Sequence, residues 1–116
     1  MKVIKRDGRI VDFDATKIER AILASFNDVD GEISDYAKEK AANIASYIEG
    51  YYLDVDETPG IEDIQDLVEK GLMATKRKDV AKNYILYREE RTKIRNSNSN
   101  LMKSIKEKIE ASDIQN

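Results

Sequence analysis

Four one-sided apolar patterns in succession limit what this chain can fold into. Ile18, Ala21, Ile22, Ser25 and Phe26 recur at i, i+3, i+4, i+7 and i+8, a narrow stripe along one helix face. Ala37, Ala41, Ile44, Ala45, Ile48, Tyr51 and Tyr52 make a second stripe, and its alanines imply close approach to a neighbouring helix. Ile61, Ile64, Leu67, Val68, Gly71 and Leu72 form a third, and Val80, Ala81, Tyr84, Ile85, Tyr87, Arg88 and Arg91 mark a fourth. Four such helices hide their stripes together in one core, which predicts a bundle. Asp14 and Ser34 read as N-caps of the first two helices, and Asn27-Asp28-Val29-Asp30-Gly31 as the stop of the first. Thr58-Pro59-Gly60 breaks the chain and launches the third. Between them, Tyr51 to Glu57 reads either as a fraying helix end or as a short strand, because aromatic and β-branched residues there run into acids. Asn96-Ser97-Asn98-Ser99-Asn100 reads as a polar linker, and the piece after it, with Leu101, Met102, Ile105 and Ile109, as a weakly amphipathic segment.

Ahead of the first helix, Val3 and Ile10-Val11 favour extended chain, and Asp7-Gly8 between them tolerates the positive φ of a tight turn. Lys5, Arg6 and Arg9 sit on or beside that turn, and Lys17 follows one turn into the helix. Cations and backbone N–H groups beside a helix start can hold an anion such as a polyphosphate, with Val3, Val11, Phe13 and Ile18 as apolar surface for a base. By spacing alone, a solvated charged hairpin is an equally good reading. On helix four, Tyr84, Tyr87, Arg88 and Arg91 share a face. Tyrosines at the core edge and arginines paired with acids are the plainer account of it. The carboxylates of the 54–66 region read more simply as a solvated acidic face than as a Mg²⁺ site.

Charge is distributed unevenly. Residues 1–10 carry a net +3, residues 28–70 a net −10 and residues 75–95 a net +5, within an overall −3. If the two basic segments meet, they form one anion site; pairing with the acidic middle is the competing outcome. Cysteine and histidine are both absent, so thiol nucleophiles, disulfides, zinc ribbons and imidazole acid–base chemistry are closed to these residues. Neither a G-x-x-x-x-G-K-[ST] loop nor G-x-G-x-x-G is present. No apolar run approaches a membrane span and Met1 is not followed by a signal-peptide core, so a cytoplasmic binding domain without membrane contact is expected.

Taken together, Val3-x-Lys5-Arg6-Asp7-Gly8-Arg9-x-Val11-x-Phe13-Asp14-x-x-Lys17-Ile18-x-x-Ala21-Ile22 resembles the start of an ATP-cone. This is the allosteric nucleotide-binding domain of many ribonucleotide reductases and of their transcriptional repressor. Ile64-Gln65-Asp66-Leu67-Val68-Glu69 and Val80-Ala81-Lys82-x-Tyr84-Ile85-x-Tyr87-Arg88-x-x-Arg91 are similar to the third and fourth helices of that family. The resemblance spans residues 3 to about 95. It implies an α+β fold, a four-helix bundle capped by a small three-stranded N-terminal β-sheet, with part of 51–58 as the third strand. Residues 1–95 would then be the regulatory domain, and 96–116 a linker with its C-terminal segment.

The same resemblance implies ATP or dATP as allosteric ligand, with room for Mg²⁺ carried on the nucleotide. Lys5 and Arg6 would contact phosphates, Asp7 and Gly8 would form the turn over them, and Val3, Val11, Phe13, Asp14, Lys17 and Ile18 would surround the base and ribose. Gln65 stands where family members often carry a third-helix histidine near the phosphates, which makes it a phosphate-binding candidate. Arg91, with Arg88 as its rival, would be the fourth-helix cation. In the family, ATP leaves the reductase active and dATP shuts it down by changing its assembly. The implied partners are therefore the adenine nucleotide, the catalytic domain of a parent reductase and a further copy of the domain, with no catalysis by these residues. The lack of cysteine argues against the repressor branch. The Tyr-Arg-Glu-Glu-Arg-x-Lys-Ile-Arg ending looks most like the anaerobic, glycyl-radical ribonucleoside-triphosphate reductase, from which the chain would be an excised regulatory domain unless it is a free-standing cone. The alternative from another class is a helical nucleic-acid-binding or transcription-regulator module using residues 2–9 and 76–95. The acidic middle opposes it.

Overall fold

The computed structural model describes the backbone of residues 1–115 and the side chains of residues 1–97. It contains two short strands followed by four helices: β1 (Lys2–Ile4), β2 (Ile10–Asp12), α1 (Ala15–Asp30), α2 (Asp35–Val55), α3 (Ile61–Met73) and α4 (Lys78–Gln115). The class is α+β, a helical bundle with a small antiparallel sheet at the N-terminus. The chain divides into two compact units, Met1–Tyr84 and Ile85–Asn116.

Within the first unit the helix ends follow from local chemistry. Asp14 sits in extended backbone and accepts the N–H of Thr16 at 3.0 Å, which caps α1. Gly31, with φ +74°, ends it by returning its N–H to Asn27 O at 2.8 Å. Ser34 Oγ accepts Ala37 N–H at 3.1 Å and starts α2. The cap of α3 is one-sided: Gly60 has no side chain to offer, but Asp63 Oδ2 accepts the Gly60 N–H at 3.2 Å.

The stripes meet as the pattern requires. Ile22 and Phe26 of α1, Ala37, Ala41, Ile48 and Tyr52 of α2, Ile64, Val68 and Leu72 of α3, and Val80, Ala81 and Tyr84 of α4 share one buried cluster. Helix α2 packs against both α1 and α3. Its alanines at 37, 41 and 45 are at most 1% exposed, which lets those backbones approach closely. Val3 of β1 belongs to the same cluster, so the hairpin is seated on the bundle by its own side chain. Tyr51, placed on the inner stripe by its spacing, is instead 43% exposed, because Tyr52 takes the inward position at that turn.

Two expectations need correction. Residues 51–58 do not supply a third strand: α2 continues to Val55, Asp56 ends it with φ +52°, and only Gly60 bridges β1, through a single parallel pairing with Ile4. Proline explains why the pairing stops there. The Ile4 N–H donates to Pro59 O at 2.9 Å, but Pro59 has no N–H to extend the pairing toward Lys2, and on the other side Ile61 already opens α3. The sheet is therefore two-stranded, with Lys2, Val3 and Ile4 opposite Asp12, Val11 and Ile10. The second correction concerns the Asn/Ser run at 96–100, across which the α4 backbone continues as helix. Asn and Ser are weak helix formers, yet neither removes a donor as proline does nor frees the backbone as glycine does. Leu101, Met102, Ile105 and Ile109 have side chains outside the described residues.

Candidate functional site

The hairpin turn is built on Gly8. Lys5 N–H donates to Arg9 O at 2.8 Å, and Gly8 N–H closes the turn onto Lys5 O at 2.9 Å. Gly8 alone carries the positive φ, +86°, so the loop is the three-residue type in which a turn ends on a left-handed residue. Asp7 is used inside the turn: one carboxylate oxygen accepts Arg9 N–H at 3.1 Å and the other accepts Arg9 Nε at 2.7 Å. The backbone N–H of Arg9, more than its guanidinium, holds the Asp7 carboxyl below the usual carboxylate range. Asp7 thus shapes the loop and keeps Arg9 turned onto it.

The cations around the hairpin sort into paired and unpaired. Lys2 bonds Asp12 across the strands, Arg9 is held by Asp7, and Arg6 reaches Glu62 on the first turn of α3 at 2.6 Å. Among the described residues, Lys5 and Lys17 make no ion pair, and both are exposed. The hairpin therefore presents a lysine without an ion pair at the turn, and a second at the start of α1 whose charge acts on Asp14. The α1 N-terminus adds less than its position suggests. Asp14 takes both the N–H and, at 2.6 Å, the hydroxyl of Thr16, and Lys17 N–H returns to Asp14 O at 3.2 Å. The two Thr16 contacts, the hydroxyl first, depress the Asp14 pKa, and the nearby Lys17 and Arg20 charges add to this.

The apolar residues assigned to a base separate by depth. Val3 is 6% exposed and is a core residue rather than open surface. Val11, Phe13 and Ile18 are half-buried and pack against the cluster from its edge, leaving part of each side chain accessible. Gln65 lies half-buried on α3, one turn beyond Glu62, and its carbonyl oxygen accepts the hydroxyl of Tyr84. A histidine there would donate or accept according to tautomer, whereas Gln65 keeps its amide N–H₂ available beside that bond.

Arg88 and Arg91 belong to the second compact unit. There Arg91 stands 5.7 Å over the Tyr87 ring and donates to its hydroxyl at 3.3 Å, while Arg88 is half-buried. The basic corner at 76–78 is largely consumed in the first unit. Arg77 donates to Asp30 at 2.9 and 2.5 Å, to Asp79 at 3.1 and 2.9 Å, and stacks 5.7 Å over Phe26. Among the described residues no group of three acids is close enough to hold a metal ion, and no helix is long and apolar enough to cross a membrane.

Sequence reasoning missed Glu62 and the Pro59-Gly60 docking point, which bring the start of α3 beside the hairpin. The available signal was Thr58-Pro59-Gly60-Ile61-Glu62-Asp63, a helix start rich in first-turn acids. What no spacing showed is that this start lies next to Arg6.

A small α+β domain with a glycine-turned cationic hairpin on a helical bundle is the class these observations define. A family model described as the ATP cone domain matches residues 1–93, and the chain belongs to that family. It is 38% identical over 99 residues, 81% of its length, to a vitamin B12-dependent ribonucleoside-diphosphate reductase of Thermoplasma acidophilum. It is 35% identical over 104 residues, 84% of its length, to a ribonucleoside-diphosphate reductase subunit alpha of Chlamydia trachomatis. Identity is 32% over 114 residues, 97% of the chain, with an anaerobic ribonucleoside-triphosphate reductase of Haemophilus influenzae. The chain spans 12%, 10% and 16% of the lengths of these three relatives.

Proposed function

We propose that this domain senses adenine nucleotides for a ribonucleotide reductase, binding ATP or dATP at the hairpin and altering the assembly of its parent without catalysing a reaction. Membership of the ATP cone family carries this reading, and the unpaired Lys5 and Lys17 beside a glycine turn fit a polyphosphate ligand. Lys5 and Arg6 bind phosphate oxygens, the turn of Asp7 and Gly8 presents them, and Val11, Phe13, Asp14, Lys17 and Ile18 line the base and ribose, with Val3 supporting them from the core. The Gln65 amide is a further phosphate donor. On the fourth helix, Arg91, with Arg88 as its rival, is the phosphate cation that the family resemblance implies. Any Mg²⁺ is carried in on the nucleotide.

Arg6 is the residue through which ligand and fold compete. It is held by Glu62 at 2.6 Å, and a phosphate that draws it away breaks that ion pair at the head of α3. ATP and dATP differ by one hydroxyl, so control requires that each favours a different assembly by its own differential free energy. ATP keeps the parent active and dATP inhibits it through self-association. The parent is an anaerobic ribonucleoside-triphosphate reductase, with residues 1–95 as the regulatory domain and 96–116 leading toward the catalytic part, all in the cytoplasm.

Calorimetric titration with ATP, dATP and a DNA duplex tests the function. Micromolar nucleotide binding with no duplex binding is expected. Tight duplex binding without nucleotide binding would establish a nucleic-acid module instead. Combining Lys5→Ala with Arg6→Ala removes two charge-assisted phosphate contacts and should weaken dATP about a hundred-fold or more. If affinity survives, the hairpin is not the phosphate site.

A further inference from the structure

The C-terminal end of α2 and one side of α3 enclose a cleft of about 350 Å³ that the hairpin chemistry does not use. Its walls include Tyr51, Tyr52, Glu57, Asp63, Asp66 and Lys70, three carboxylates against one ammonium. Tyr52 is the informative residue. It is only 7% exposed, yet among the described residues its hydroxyl has no hydrogen-bond partner. No described polar atom is both sealed from solvent and unpartnered, so solvent reaches that hydroxyl, and Tyr52 lines the cleft. A tyrosine whose ring is this deeply buried normally has its hydroxyl bonded to protein or to water. Burial, then the charges of Asp63, Glu57 and Asp66, push its pKa up and keep it a neutral hydroxyl.

The carboxylates are supported unequally. Asp63 accepts the Gly60 N–H at 3.2 Å and Asp66 has a partner, each retaining further acceptor capacity, while Glu57 has none among the described residues. They are too dispersed to hold a metal ion. A dispersed set of acceptors suits a larger cation whose N–H donors diverge. The Tyr51 ring, 43% exposed, lies edge-on to Tyr52 at 5.0 Å and is braced by stacking on Tyr47 at 6.4 Å. A tyrosine face at the mouth of an acidic cleft favours an organic cation further.

We propose that this cleft binds an alkyl guanidinium or primary ammonium group, its N–H donors shared between the Glu57, Asp63 and Asp66 carboxylates and the Tyr52 oxygen. The group has two sources, an arginine or lysine side chain of a protein partner or a free polyamine, with the same recognition chemistry. Titrating the ¹⁵N-labelled chain with N-acetyl-arginine amide and with spermidine should give saturable amide shifts across residues 51–70, separate from the hairpin shifts caused by ATP. Tyr52→Phe keeps the ring and removes the hydroxyl, and Glu57→Gln removes an exposed charge. Each should weaken binding about five-fold, whereas Lys70→Gln should tighten it. Tighter binding of the arginine derivative assigns the site to a protein partner, and tighter spermidine binding to a free polyamine. Shifts that never saturate, equal shifts with MgCl₂, or unchanged titration of both weakening variants would overturn the proposal.

Discussion

Gly8 shows how much one residue decides. Nothing lies within 4 Å of a Cβ built there, so a side chain would meet no neighbour and the whole cost would come from its φ of +86°. Gly8→Ala should therefore lose about 1 kcal/mol, and Gly8→Asn less, because a short amide side chain tolerates left-handed backbone. Urea denaturation of the two variants checks this order, and dATP affinity should fall in the same order if the turn presents the phosphates. Asp7 and Arg9 were legible only as charges flanking a turn. That they engage each other, leaving Lys5 uncompensated, depends on rotamers that a linear pattern does not encode.

For individual helices, start and inward face were readable because both are local. A cap needs one acceptor two or three residues from its N–H, and a stripe needs only the helical period. Asp14, Ser34 and the residues Ile64, Val68 and Leu72 followed accordingly. The third strand failed because the end of α2 is not local: Tyr52 is buried against the bundle, and that burial keeps residues 51–55 helical where their composition allows either state. The α2–α3 contact is tight at Gly71, where an added Cβ would lie 3.0–3.2 Å from three carbons of Ile44. Gly71→Val should overpack this contact and cost about 1–3 kcal/mol. Ile44→Ala in the same chain should recover part of that loss, and a double-mutant cycle of urea denaturation measures the coupling. Additive effects would mean that the two helices do not press together there.

Across the first compact unit, Arg77 ties the end of α1 to the start of α4 through Asp30 and Asp79. Its hydrogen bonds depress both carboxylate pKa values from 3.8, while the Asp30 and Asp79 contacts raise its own. A carboxylate whose folded pKa is lowered contributes stability above its unfolded pKa, and that contribution is lost as pH falls through the folded value. The melting temperature should accordingly drop as pH is lowered from about 5 to below 3. Arg77→Gln should lower it near neutrality and matter little at the acid end. Thermal unfolding at several pH values compares the two chains. An equal deficit at every pH would mean that Arg77 acts by packing on Phe26 rather than by charge.

Sequence by itself determined the helix count, the caps, the glycine turn and the hairpin motif that the ATP cone family model also matches. Each depends on residues within a turn or two of one another. Tertiary structure decided which charges remain available. Arg6 is engaged by Glu62, 56 positions away, and Arg77 by Asp30, 47 positions away, while Lys5 and Lys17 stay unpaired among the described residues. It also reduced the expected third strand to one bridge at Gly60 and opened an acidic cleft lined by a tyrosine whose hydroxyl has no partner among the described residues. Ion pairs and clefts form between elements far apart in the chain, and the sign of a charge does not say which opposite charge the fold will bring to it.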